Sequence, residues 1–171
     1  MVAAAYASRP PGRQRSLAHD AVWGLGTQAL LGVLLGWVWL VVSPRPAALW
    51  AGNFWYAQSD TDFGALQDLW FGALTLAPGL VAGALLVRWS DRPAPLGRAG
   101  LWMGGSVLGS LACWATGVGL SGGFGSPALA ASAEEAPVVL TSYGLLALWP
   151  FAAAAVLAVS LLARASFGRT W

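Results

Sequence analysis

Charge is what this chain has least of. Asp, Glu, Lys and Arg make up 9% of its 171 residues, and hydrophobic residues make up 57%. Mean hydropathy is +0.64. A soluble domain carries roughly a quarter charged residues, so too little charge is present to coat a water-exposed surface, and lipid is the expected solvent. Lysine is absent, and the nine basic residues are all arginines. With the Ala, Gly and Leu excess, this is the codon signature of a GC-rich genome. The net charge of +2 is split between distant segments. It offers no patch for nucleic acid.

The other scarcities exclude chemistry. A single cysteine, Cys113, rules out an intrachain disulfide and any CxxC redox or zinc motif. Lying in an apolar run, it reads as a small packing residue. The one histidine, His19, stands before the first apolar run, where it cannot ligate a haem within the bilayer. No HExxH motif occurs. No acid or base lies at the middle of an apolar run, which removes the usual signature of proton relays and ion paths. Asp68 and Arg88 stand only near the ends of theirs. The intramembrane polar groups Thr27, Gln28, Thr75, Ser106, Ser110 and Thr116 suit interhelical hydrogen bonds. No catalytic residue, cofactor or metal is therefore expected.

What is abundant is apolar sequence. A spanning helix needs about 20 apolar residues. Four segments qualify, at about 21–42, 66–87, 99–120 and 139–163. The expected fold is an all-α integral membrane domain over 21–164, after a basic segment 1–20 suited to anionic headgroups and before a tail at 165–171. The first span exceeds the apolar core of a signal peptide and reads as a retained helix.

Arginine placement sets the expected direction. Arg9, Arg13 and Arg15 precede span one, Arg88, Arg92 and Arg98 join spans two and three, and Arg164 and Arg169 follow span four. Only Arg45 falls on the other side, so the positive-inside rule puts both termini in the cytoplasm of a bacterial plasma membrane. Trp23, Trp89 and Trp102 then approach the inner interface, and Trp37, Trp39 and Trp70 the outer one. Trp114 and Trp149 lie deeper.

The spans carry an internal echo. FGALTLAP at 71–78 and YGLLALWP at 143–150 share aromatic–Gly–x–Leu–x–Leu–x–Pro, and Gly32 and Gly36 match Gly105 and Gly109. The pattern predicts two tandem parallel-repeat hairpins, each pairing a glycine-seamed helix with a proline-bearing one. Pro78 and Pro150 are expected as matched kinks, for static packing or as hinges. Small-xxx-small seams run through Gly32/Gly36, Gly79/Gly83, Gly100/Gly104 and Gly105/Gly109, the last continuing to Cys113 and Gly117. They fit packing within one chain and a homodimer equally. Span three, with the longest seam, is the candidate central helix.

The loops on the outer side hold the remaining candidates. SPRPAALWAGNFWYAQSDTDF can fold a short β-hairpin about Gly52–Asn53. Trp55, Asp60 and Asp62 there, with Glu134 and Glu135 in the second loop, are candidates for contact with an outside partner. Two carboxylates alone make a poor metal site.

The runs LLGVLLGWVWLVVSPRP, SDTDFGAL and YGLLALWPFAAA resemble an actinobacterial membrane family known as domain of unknown function 2567, over about 20–164. That resemblance implies a four-span envelope protein of a high-GC Gram-positive, with no assigned activity and no catalytic residues to transfer. The expectation from the residues is a non-enzymatic accessory or assembly subunit of cell-envelope machinery, partnered by the bilayer and another membrane or envelope protein. The alternative is a small transporter of an apolar or lipid-like solute built on the duplicated proline helices. A third reading, an enzyme in the outer loops, needs the Asp60/Asp62 and Glu134/Glu135 pairs to converge.

Overall fold

In a computed structural model of the chain, the described residues are 12–46, 48–50, 55–57, 62–88, 95–124 and 136–167. Four helices carry the fold: α1 (Gly12–Val42), α2 (Phe63–Arg88), α3 (Pro95–Leu120) and α4 (Leu148–Phe167). A 3-10 turn over Tyr143–Ala147 leads into α4. All four are long and apolar enough to cross a membrane, the fourth span running with that turn from Tyr143 to Ser166. The chain thus has the make-up of a multi-pass membrane protein. Two three-residue strands, β1 (Ala48–Trp50) and β2 (Trp55–Ala57), pair antiparallel with Leu49 opposite Tyr56. Residues 51–54, where the Gly52–Asn53 turn was expected, lie outside the described ones.

The helices pack as two parallel pairs, α1 with α3 and α2 with α4, rather than as sequence-adjacent hairpins. Glycine is the reason. On α1 the buried positions Gly24, Gln28, Gly32 and Gly36 recur every fourth residue, as do Gly105, Gly109, Cys113 and Gly117 on α3. A Cβ added at Gly32 would fall on the Gly109 carbonyl, and one at Gly36 on the Cys113 carbonyl. From the other side, a Cβ at Gly109 would lie 2.8 Å from the Gln28 carbonyl oxygen. The two backbones touch directly, as small-residue stripes allow in lipid. On the second pair, a Cβ at Gly79 would sit 2.6 Å from the Trp149 carbonyl, and at Gly83 2.8 Å from that of Ala153. All the predicted seam residues in these two pairs are therefore used within one chain.

Gly100 and Gly104 are not. Nothing lies within 4 Å of a Cβ at Gly100, and only Leu25 approaches one at Gly104. Gly100→Ala should raise the thermal midpoint in detergent, because alanine favours a helix by about 1 kcal/mol over glycine where no neighbour objects. A lowered midpoint would place a hidden contact there.

Between the pairs, a buried core forms at the end where α1 stops and α2 begins, hereafter the loop end. Trp39, Phe71, Cys113, Val118, Val138 and Leu140 form the core there. The Trp39 and Phe71 rings meet edge to face at 5.0 Å. Trp39 is thus wholly buried, not an interface residue as expected, whereas Trp37 remains exposed. α3 is the most enclosed helix and α4 the least.

Two expectations for the fourth span need correction. Residues 139–142 are not helical but belong to an extended strip, 136–142, laid across the loop end. Pro150 is only the third residue of α4. In a first turn the missing N–H has no intrahelical acceptor to lose, so this proline fits the helix start instead of kinking its middle. Pro78, by contrast, lies inside α2, which continues through it from Phe63 to Arg88.

Candidate functional site

Two features stand out: a polar clasp at the loop end and a lateral cleft toward the opposite end, which carries Arg88 and Arg164. The clasp starts from Gln67 and Asp68, buried in the second turn of α2. The Asp68 carboxylate accepts from the backbone N–H of Thr141 (2.9 Å) and of Ser142 (2.9 Å), and from the Thr141 hydroxyl. Gln67 Oε1 accepts from Val139 N–H at 3.0 Å, and Gln67 Nε2 donates to the Pro44 carbonyl at 3.0 Å. Trp39 Nε1 donates to the Gln67 backbone carbonyl at 2.9 Å. Further along the strip, Val138 N–H donates to Ser121 Oγ and Ala136 N–H to the Pro46 carbonyl, each at 3.0 Å.

The physical need is plain. Backbone outside helices and sheets lacks ladder partners, so its buried N–H and C=O groups must find them elsewhere in the protein. Side chains from α2 and the turn after α3 supply them, while Val138 and Leu140 fill the core beneath. The carboxylate also faces the N-terminal end of the 3-10 turn, where backbone dipoles favour negative charge. These donors on residues 141 and 142 fasten α2 to the lead-in of α4. This is a structural site.

The cleft lies between the pairs. It encloses about 240 Å³ and is walled by Gln28 and Leu31 of α1 and by Pro78, Val81 and Leu85 of α2, with Trp149 of α4 inside. Gln28 is held by its own network: Ser106 Oγ donates to Gln28 Oε1 at 2.9 Å, and Gln28 Nε2 donates to the Trp102 carbonyl at 3.0 Å. Trp149 is fully buried. Its Nε1 has no hydrogen-bond partner among the described residues, and neither does Ser110 Oγ. Orphaned donors of this kind are uncommon. Thr27 also lines the cleft, and the walls are otherwise apolar, an arrangement that can hold hydrocarbon.

The predicted outer contacts meet varied outcomes. Asp62 caps α2: its Oδ1 accepts the Ala65 N–H at 3.1 Å, three residues on, as an N-cap does. Trp55 stands in β2. Asp60, Glu134 and Glu135 lie outside the described residues, as does any convergence of the acidic pairs. Among the described residues, no three His, Cys, Asp or Glu side chains come together to hold a metal.

Sequence reasoning noted Asp68 only as an acid near a span end, and passed over Gln67 and Thr141. The available signal was LQDLW, two adjacent strong hydrogen-bonding groups within two turns of the start of an apolar helix, matched by TS just before span four's aromatic. No family model, no curated protein and no solved structure matches the chain.

Proposed function

We propose that this chain is a non-enzymatic integral membrane protein serving as an accessory or assembly subunit of cell-envelope machinery. In that reading it sits in a bacterial plasma membrane with both termini cytoplasmic, the arginine-bearing ends of α2 and α4 facing inward. The observation that carries it is the division of labour on α1. Its small residues are spent against α3, while Trp23, Leu30, Leu34, Trp37 and Val41 are exposed on another face. Those positions follow the alternating three- and four-residue spacing with which one helix packs along another. A second membrane helix, from an envelope partner or a second copy, fits that stripe.

The test is co-purification in mild detergent of the full chain against a Leu30→Ala/Leu34→Ala/Trp37→Ala variant. Loss of the partner from the variant, at an unchanged unfolding midpoint, supports the reading. A lone monomer under crosslinking in native membranes removes it.

The two parallel helix pairs also support a tandem duplication, since equivalent helices of the two halves lie side by side. In α2 and α4 the closest approach joins Gly79 to Trp149, a spacing of 70 (149 − 79), near the 72 separating Pro78 from Pro150. In α1 and α3 it joins Gly32 to Gly109, a spacing of 77 (109 − 32), so that pair is slid about one turn from strict repetition. The second functional reading, a transporter of an apolar or lipid-like solute, is favoured by the cleft and by Pro78 on its wall. Unchanged solute movement in vesicles with Pro78→Ala would count against it.

A further inference from the structure

We infer that the lateral cleft is a binding site for one acyl chain of an anionic phospholipid, whose headgroup is held at Arg88. The inference goes beyond the accessory role and holds whether or not a protein partner exists.

The first observation is the cleft's size and lining. A water needs about 30 Å³ and two to four polar partners. At about 240 Å³ the cleft has room for several waters. Among the lining groups, however, Gln28 is engaged with Ser106 and Trp102 and the Thr27 hydroxyl with the Trp23 carbonyl, which leaves the Trp149 Nε1 donor, too little to hold several waters. Hydrocarbon, which needs no partners, is the filling the walls accept.

The second observation is where the cleft opens. Its rim residues Leu31 and Val81 are exposed, as are their neighbours Leu30 and Leu80. The opening therefore gives sideways onto the lipid-facing surface of α1 and α2. It exists because each helix pair is zipped along its own seam, leaving between the pairs a gap that Leu31 and Val81 flank. The Trp149 ring closes the cleft toward the bundle centre, where its far edge would meet a Cβ on Gly109.

The third observation is charge. Arg88 is the last residue of α2, three positions beyond the wall residue Leu85 and so one turn further along the same face. Its side chain is exposed. From there the long stem reaches the headgroup layer while lying along apolar surface. A chain seated between Leu31 and Val81 has its glycerol end at the level of Arg88, and a basic residue there favours an anionic headgroup over a zwitterionic one. On the orientation proposed above, this is the cytoplasmic leaflet.

Native mass spectrometry of the detergent-solubilised full chain, titrated with phosphatidylglycerol or phosphatidylcholine, tests both halves. The expected result is one saturable phosphatidylglycerol per chain. Val81→Trp fills the cleft from its exposed rim and should weaken that binding at least 10-fold, with the unfolding midpoint unchanged. Arg88→Gln should bring the two lipids to near parity. Non-saturable adducts, or equal occupancy in Val81→Trp, overturn the site. Weakened binding in Val81→Trp with an unaltered headgroup preference in Arg88→Gln overturns the role of Arg88. Neither result bears on the envelope-partner reading, whose stripe on α1 these variants leave intact.

Discussion

Gly32→Leu is expected to prise α1 from α3. A single Cβ at position 32 already falls on the Gly109 carbonyl. Backbone cannot swing aside as a flexible side chain can, so the whole interface must open. Adding methylenes to a packed interior costs about 1–3 kcal/mol, and a four-carbon side chain against a carbonyl belongs at or above the top of that range. Loss of the neighbouring contacts Gly36–Cys113 and Gly109–Gln28 follows, because all three lie on one seam.

Cys113 supplies the readout. It is the only cysteine and is fully buried against that seam. In detergent, the wild-type thiol should resist maleimide until the protein unfolds, whereas Gly32→Leu should label readily and melt at a markedly lower temperature. A variant as protected and as stable as wild type would mean the two backbones do not touch.

Asp68→Asn is the second large effect. The carboxylate accepts from three donors on residues 141 and 142. An amide keeps one acceptor oxygen and turns an NH2 group toward donors. Hydrogen bonds to a charged acceptor contribute about 1.5–3 kcal/mol each, less where exposed residues such as Thr141 and Ser142 can turn their donors to water. Removing the buried charge offsets part of this, so a net loss of about 2–4 kcal/mol is expected. Denaturant titration in micelles measures it. Hydrogen exchange should quicken first at residues 138–142, since local opening tracks the weakest anchored segment. Thr141→Val removes one donor and should cost less. Combined with Asp68→Asn it should be less than additive, because both act on one network. Full additivity would mean that Asp68 stabilises something other than this strip.

The readable and unreadable parts of the sequence divide by what each signal encodes. A run of about 20 apolar residues carries its own answer, since helix formation in lipid satisfies every backbone group locally. Four spans follow from that alone. The seams at Gly32/Gly36 and Gly105/Gly109 were equally visible, because a small residue every fourth position marks one helix face. Which face meets which was not visible. The shared motif suggested repeating hairpins, and the fit of Gly32 onto Gly109 chose α1 with α3 instead.

Pro150 shows the same limit. Its motif matches that of Pro78 residue for residue in type, yet one proline lies within a continuous helix and the other in a first turn. The difference arises outside the motif, where Asp68 and Gln67 capture the backbone of 139–142 and delay the start of α4. Asp68 read as an acid near a span end, and its role depended on a partner 73 residues away.

Composition and local pattern therefore determined the four helices long and apolar enough to cross a membrane, the small-residue faces and the lack of acids and bases at the span centres. Each is a property of one segment in its medium. Tertiary structure decided the pairing of helices, the extended strip at the loop end and the cleft between the pairs. Those depend on distances between segments far apart in the chain, and only the packed bundle sets such distances.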